Sequence, residues 1–211
     1  MTYMDLKKIL RVIKRNPRRL LDATRQRITG YQPPIGKACI TKLEIKTLQT
    51  YAAKAKKGIV EIGVLDGGTT REMALVADVP IYGIDPLIPD SMDKNLQGAT
   101  KIIQHNMSFY KHFFFFQAYS YDIAKKWQKP FDFIFIDGDH RYTEVKKDAH
   151  DWIPLLTPGG YVAFHDAAPV YSEKSEHVGY DGPITLINEL KKDNTLTYIE
   201  TKDSLAIFQK K

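Results

Sequence analysis

With 211 residues, 43% of them hydrophobic and 27% charged, the chain is long enough to bury a full core and too apolar to be a disordered one. Its single cysteine, Cys39, excludes an intramolecular disulfide framework and fits a reducing, cytoplasmic setting. The net charge of +6 sits at one end: residues 1–30 carry nine Lys/Arg against Asp5 and Asp22, and the remainder is neutral to within one charge. No run approaches the roughly 18–20 apolar residues of a membrane span, and the N-terminus lacks the apolar core of a secretion signal.

In chain order, residues 5–28 predict one or two basic helices, with Leu6, Ile9, Leu10, Ile13, Leu20 and Leu21 as apolar positions and Pro17 dividing them. Such a segment can lie on an anionic membrane or on nucleic acid, or pack on its own domain or on a second subunit. Packing is favoured, because no interleaved aromatics offer stacking platforms for bases, and a homodimer built through these helices is compatible with it. A linker at residues 31–36 ends this basic segment (1–36), and residues 37–211 form the globular domain. Thr41 predicts an N-cap for a helix reaching Lys56.

Residues 59–63 then read as a buried strand carrying Glu61. Its end runs through Gly63, Asp66, Gly67, Gly68 and Thr69 into a helix over 71–77, a turn in which glycines admit a ligand to the backbone and a helix start favours an anionic group. A second strand within 80–86 ends at Asp85, 22 positions beyond Gly63, where an acid of a nucleoside-binding sheet accepts hydrogen bonds from ribose hydroxyls. The pattern predicts a third strand over 100–104, and a helix over 109–127 whose phenylalanine run is core or subunit contact.

The fourth strand, from Phe131, ends in Asp137-Gly138-Asp139-His140, with polar groups at the edge where open α/β sheets place ligands. A helix over 144–156 follows, then Pro158-Gly159-Gly160 and a fifth strand ending in His165 and Asp166. Residues 167–183 make a loop long enough to be a substrate lid. A helix over 184–192 and two strands, 196–200 and 204–208, complete a doubly wound, mostly parallel α/β sheet with an antiparallel addition.

From about Lys56 to the C-terminus this order of motifs resembles the class I S-adenosylmethionine-dependent methyltransferases, whose seven-stranded sheet ends in an antiparallel strand. The Asp137–Tyr142 stretch with the later His165-Asp166 is similar to a subgroup of small-molecule O-methyltransferases, including enzymes acting on macrolide sugars and cephalosporin-hydroxylase-like proteins. The resemblance implies S-adenosylmethionine as cofactor, with Glu61, Gly63 and Gly67 beside its methionyl part. Thr69 would contact the methionine carboxylate and Asp85 the ribose. Asn106 or Ser108 would lie near adenine, although the family's usual Gly-Asp pair is absent there. Asp137, His165 and Asp166 fall where metal-dependent members place a divalent ion, Mg²⁺ or Mn²⁺, and Asp137 is counted among the cofactor-binding and catalytic groups as well. His140 is the candidate general base, since an imidazole of ordinary pKa near 6.5 takes up a proton at neutral pH.

The leading expectation is therefore O-methylation of a small hydroxylated acceptor, a sugar or glycosylated metabolite. RNA methylation through the basic segment is the alternative, disfavoured because phosphate neutralisation drives nucleic-acid affinity and the globular part is neutral. A nicotinamide oxidoreductase is opposed by glycine spacing that does not match Gly-x-Gly-x-x-Gly. A cofactor-binding protein without chemistry is the remaining reading.

Overall fold

A computed structural model describes residues 35, 39–89, 91, 94–95, 97–172, 175–177 and 180–211. The basic helices expected over residues 5–28, and the homodimer and RNA readings that rest on them, lie outside the described residues. The chain runs α1 (Lys42–Ala52), β1 (Ile59–Ile62), α2 (Gly68–Ala74), β2 (Ile81–Ile84), α3 (Thr100–Met107), β3 (Phe113–Phe116), α4 (Ser120–Ala124) and β4 (Phe133–Ile136). It continues through α5 (Tyr142–Trp152), β5 (Tyr161–Phe164), a short pair β6 (Val170–Ser172) and β7 (Ser175–His177), α6 (Asp181–Leu190), β8 (Leu196–Lys202) and β9 (Leu205–Lys210).

The seven-stranded sheet has the order β3-β2-β1-β4-β5-β9-β8. Its first five strands are parallel, with Ile59 opposite both Ile81 and Phe133, and β9 runs antiparallel to β5 and β8. β1 and β4 are buried on both faces, which explains their unbroken apolar runs. Alternate residues feed two cores. Ile59, Phe133 and Phe135 pack with Leu48 and Met73 on one face. Val60, Ile134 and Ile136 pack with Trp152 of α5 and Leu186 of α6 on the other. The doubly wound expectation holds.

Thr41 caps α1 as expected, and Glu44 completes a capping box by accepting from the Thr41 amide at 2.7 Å. The helix stops at Ala52 rather than Lys56. The Asp132 carboxylate takes the amides of Lys56 and Lys57, at 2.8 and 3.1 Å, and turns the chain into β1.

Two expected elements are corrected. Residues 100–104 are not the third strand but part of α3, because Ile103, Asn106 and Met107 recur at helical spacing and are its buried face. The third strand is the phenylalanine run itself, β3, paired in register with β2 from Ile81–Phe113 to Ile84–Phe116. Four consecutive aromatics favour a pleated edge over a helix. Only the five-residue α4 remains of the helix expected over 109–127.

Candidate functional site

At the carboxyl edge of the parallel strands lies a cavity of about 610 Å³, within the roughly 300–1,000 Å³ usual for small-ligand sites. Gly63 makes its floor possible: it sits at φ +87°, and a Cβ there would fall 1.9 Å from the Asp137 carbonyl oxygen. The ends of β1 and β4 thus approach as only glycine allows. Gly67, at φ +74°, is the N-cap of α2 and backs onto Ile103 and Met107, while Gly68 and Thr69 line the cavity.

Asp85, at the end of β2, organises the glycine turn. One of its oxygens accepts from the amides of Val64 and Leu65, both at 2.8 Å, and the other from Leu87 at 2.6 Å. A carboxylate offers about four lone-pair positions, so a place remains for one further donor on the cavity side. Leu65 (φ +50°) and Leu87 (φ +55°), two of the residues Asp85 holds, take left-handed conformations, a strain the carboxylate sustains. Asp66, for which the sequence suggested no role, accepts the Asn106 amide on its carbonyl at 2.7 Å.

Glu61, within β1, is fully buried and stands outside the cavity lining. Burial pushes its pKa well up; the charges of Asp137 and Asp85 add to this and the Thr70 hydroxyl opposes it.

The ends of β4 and β5 bring four titratable side chains together. His140 Nε2 lies 2.9 Å from Asp166 Oδ2 and 3.9 Å from Asp137 Oδ1, and its ring stacks on Tyr180 with centroids 4.2 Å apart. His165 faces the same two carboxylates. Its Nδ1 faces Asp137 at 3.0 Å and Asp166 at 3.3 Å, and its Nε2 faces Glu44 at 3.5 Å. Burial alone would lower its pKa, but the Asp137 charge and the contacts to Asp137, Asp166 and Glu44 hold it well above the usual imidazole value. Asp166 (φ +52°) is correspondingly held well below the usual carboxylate range: burial opposes ionisation, and the contacts to His140 and His165 outweigh it.

A model described as a methyltransferase domain matches residues 60–167, from β1 to just past Asp166. The chain belongs to this methyltransferase-domain family. An uncharacterised protein of Acanthamoeba polyphaga mimivirus is 33% identical over 113 residues, covering 51% of this chain and 50% of its own, so the chain spans about half the length of that curated relative. The solved O-methyltransferase NovP superposes with a TM-score of 0.62 at 17% identity, over 88% of this chain and 87% of its own. A Staphylococcus aureus protein assigned as a caffeoyl-CoA O-methyltransferase gives 0.61 at 18%, over 98% and 100%. The N-methyltransferase NodS of Bradyrhizobium japonicum, solved with S-adenosyl-L-homocysteine, gives 0.52 at 18%, over 79% and 85%. At these identities the likeness is one of fold, that of the class I S-adenosylmethionine-dependent methyltransferases.

Within this methyltransferase domain the candidate residues fall in different places. The metal set expected from sequence was Asp137, His165 and Asp166. Among the described residues Asp137, His140 and Asp166 offer ligand atoms that all lie within 4.8 Å of one another, while His165 presents Nδ1 to the same two carboxylates and Nε2 to Glu44. Ser108 is not brought to the cavity: it is exposed and its hydroxyl donates to the His105 carbonyl. Asn106 is buried beneath the turn, where its amide bonds Asp66 and both backbone groups of Ile35. With β3 at 113–116, the residues reaching the cavity from that strand's end are Tyr119, Ser120 and Tyr121. The Ser120 hydroxyl bonds Asp148 of α5, another lining residue that sequence reading missed. The run of four aromatics at 113–116, better suited to a strand than a helix, was the signal that could have found the residues at its end.

Proposed function

We propose that the protein is an S-adenosylmethionine-dependent O-methyltransferase for a small hydroxylated acceptor. The residues present fit the cofactor. The glycine turn exposes backbone, and Asp85, with one lone-pair position beyond its three amide bonds, lines the cavity beside it. The cofactor would supply a sulfonium methyl group, and the chain need only align an acceptor oxygen with it and take up its proton.

The observation that carries the reading is the position of His140. It lines the main cavity and also a shallower groove of about 450 Å³ between the starts of α5 and α6, bordered by Arg141, Tyr142, Tyr180 and Thr185. A proton acceptor between a donor cavity and a second groove is where methyl transfer to a hydroxyl needs one. Asp166 fixes the imidazole through Nε2 and offsets the charge it gains. The hydroxyl and guanidinium groups around the groove suit a polyhydroxylated acceptor such as a sugar.

A divalent ion is the second reading, favoured by the convergence of Asp137, His140 and Asp166. Two carboxylates and an imidazole suit Mn²⁺, Fe²⁺ or Zn²⁺ better than Mg²⁺, and a cation there would acidify a bound hydroxyl. It would take up Nε2, the nitrogen that the base role gives to Asp166. Transfer of labelled methyl from S-adenosylmethionine to a panel of sugars and phenols tests the proposal: label in an ether product supports it, and none across the panel counts against it.

A further inference from the structure

Glu44 lies on α1, far in sequence from every motif above, yet it is 1% exposed and reaches the cavity. Its Oε1 accepts from the Ser204 amide at 2.8 Å and the Ser204 hydroxyl at 2.6 Å, in the turn between β8 and β9. Its Oε2 accepts from the Thr41 amide and stands 3.5 Å from His165 Nε2. The same His165 ring presents Nδ1 to both Asp137 and Asp166. A carboxylate–imidazole–carboxylate line therefore runs from the helix cap, through the end of β5, to the groups beside His140.

Two acids as close as Asp137 and Asp166 repel unless a donor is held between them. His165 is that donor, and an imidazole is held in one orientation only when its second nitrogen is also bonded. Glu44 stands 3.5 Å from that nitrogen and is itself immobilised by three protein donors. We infer that Glu44 is a positioning residue: it fixes the plane of the His165 ring and thereby the spacing of the Asp137–Asp166 pair against which His140 works. This rests on the proposed methyl transfer for its catalytic consequence, but not for its structural one. Its other duty, closing the capping box, explains why it reads as ordinary helix chemistry in the sequence.

The test is Glu44→Gln in the full chain, with the His165 ring nitrogens followed by ¹⁵N-edited NMR. The amide keeps the size and the Ser204 contact but replaces the carboxylate facing Nε2. The expected result is a displacement of both His165 ring ¹⁵N signals and a fall in kcat of about 10- to 100-fold, with affinity for S-adenosyl-L-homocysteine unchanged. Asp132→Ala, which loosens the opposite edge of the sheet, shows what lost stability alone does: a lower Tm with the ring signals in place. Should Glu44→Gln not fold, Glu44→Asp keeps an acid at the cap but withdraws it by one methylene, and the same displacement is expected. Ring signals that stay put in a folded variant overturn the inference. If the parent protein transfers no methyl group, the function reading fails while the ring signals still decide the role of Glu44.

Discussion

The imidazole of His140 approaches the carboxylate of Asp166 to 2.9 Å while its face lies against the ring of Tyr180. The carboxylate and the stacked ring leave the imidazole one orientation, at the boundary between the two concavities.

Replacing His140 with Ala should lower kcat by about 10²- to 10⁴-fold, the usual contribution of a positioned acid–base group. Affinity for S-adenosyl-L-homocysteine should be retained, because the glycine turn and Asp85 are untouched. Steady-state kinetics beside calorimetry check this; parallel losses of turnover and cofactor affinity would assign His140 to binding.

Chelation separates the two chemistries at this cluster. With His140 as base, activity survives exhaustive EDTA treatment and is not raised by Mn²⁺. With Asp137, His140 and Asp166 around a cation, activity is lost on chelation and restored by Mn²⁺.

Gly63→Ala should destabilise the protein by at least about 2–3 kcal/mol, since the new methyl meets the Asp137 carbonyl and the backbone is held at φ +87°. Urea unfolding measures it. An unchanged midpoint would mean that the close approach of β1 and β4 is not obligatory.

The pH dependence of stability has a worked sign. Burial pushes the Asp148 carboxyl up to about 7, against the Ser120 hydroxyl, from an ordinary 3.8. The folded chain thus holds a proton that the unfolded chain releases near pH 4. The contribution of Asp148 is full below about pH 4 and declines as pH rises through 7. A shift of this size corresponds to on the order of 4 kcal/mol. Glu44 acts oppositely: burial opposes its ionisation, but the bonds from His165 and Ser204 lower its pKa from 4.5 to about 2, so its stabilisation is present above pH 4.5 and lost as pH falls towards 2. Asp148→Asn should flatten the stability profile between pH 4 and 7. A variant profile parallel to the parent's would show that Asp148 ionises normally.

The parallel sheet was legible because buried strands such as Ile59–Ile62 and Phe133–Ile136 are short apolar runs ending in glycine or acid, a local pattern. The third strand was not, because the Ile102-Ile103 pair reads as β-branched strand while the burial that makes 100–107 a helix is set by distant residues. The same asymmetry governs the site. Asp137, His140 and Asp166 announce themselves at strand ends, and the structure gathers them. His165 stands against Glu44, 121 positions earlier, and no spacing rule connects those two. Tyr119 and Ser120 were hidden behind the misplaced third strand.

The central claim, that the glycine turn and Asp85 form a cofactor site, is tested most directly by titrating S-adenosyl-L-homocysteine into the full chain and into Asp85→Ala by calorimetry. The account predicts one molecule bound per chain, with affinity weakened at least about tenfold when the carboxylate is removed. Absence of binding to the parent protein, or binding of NAD in its place, would contradict it.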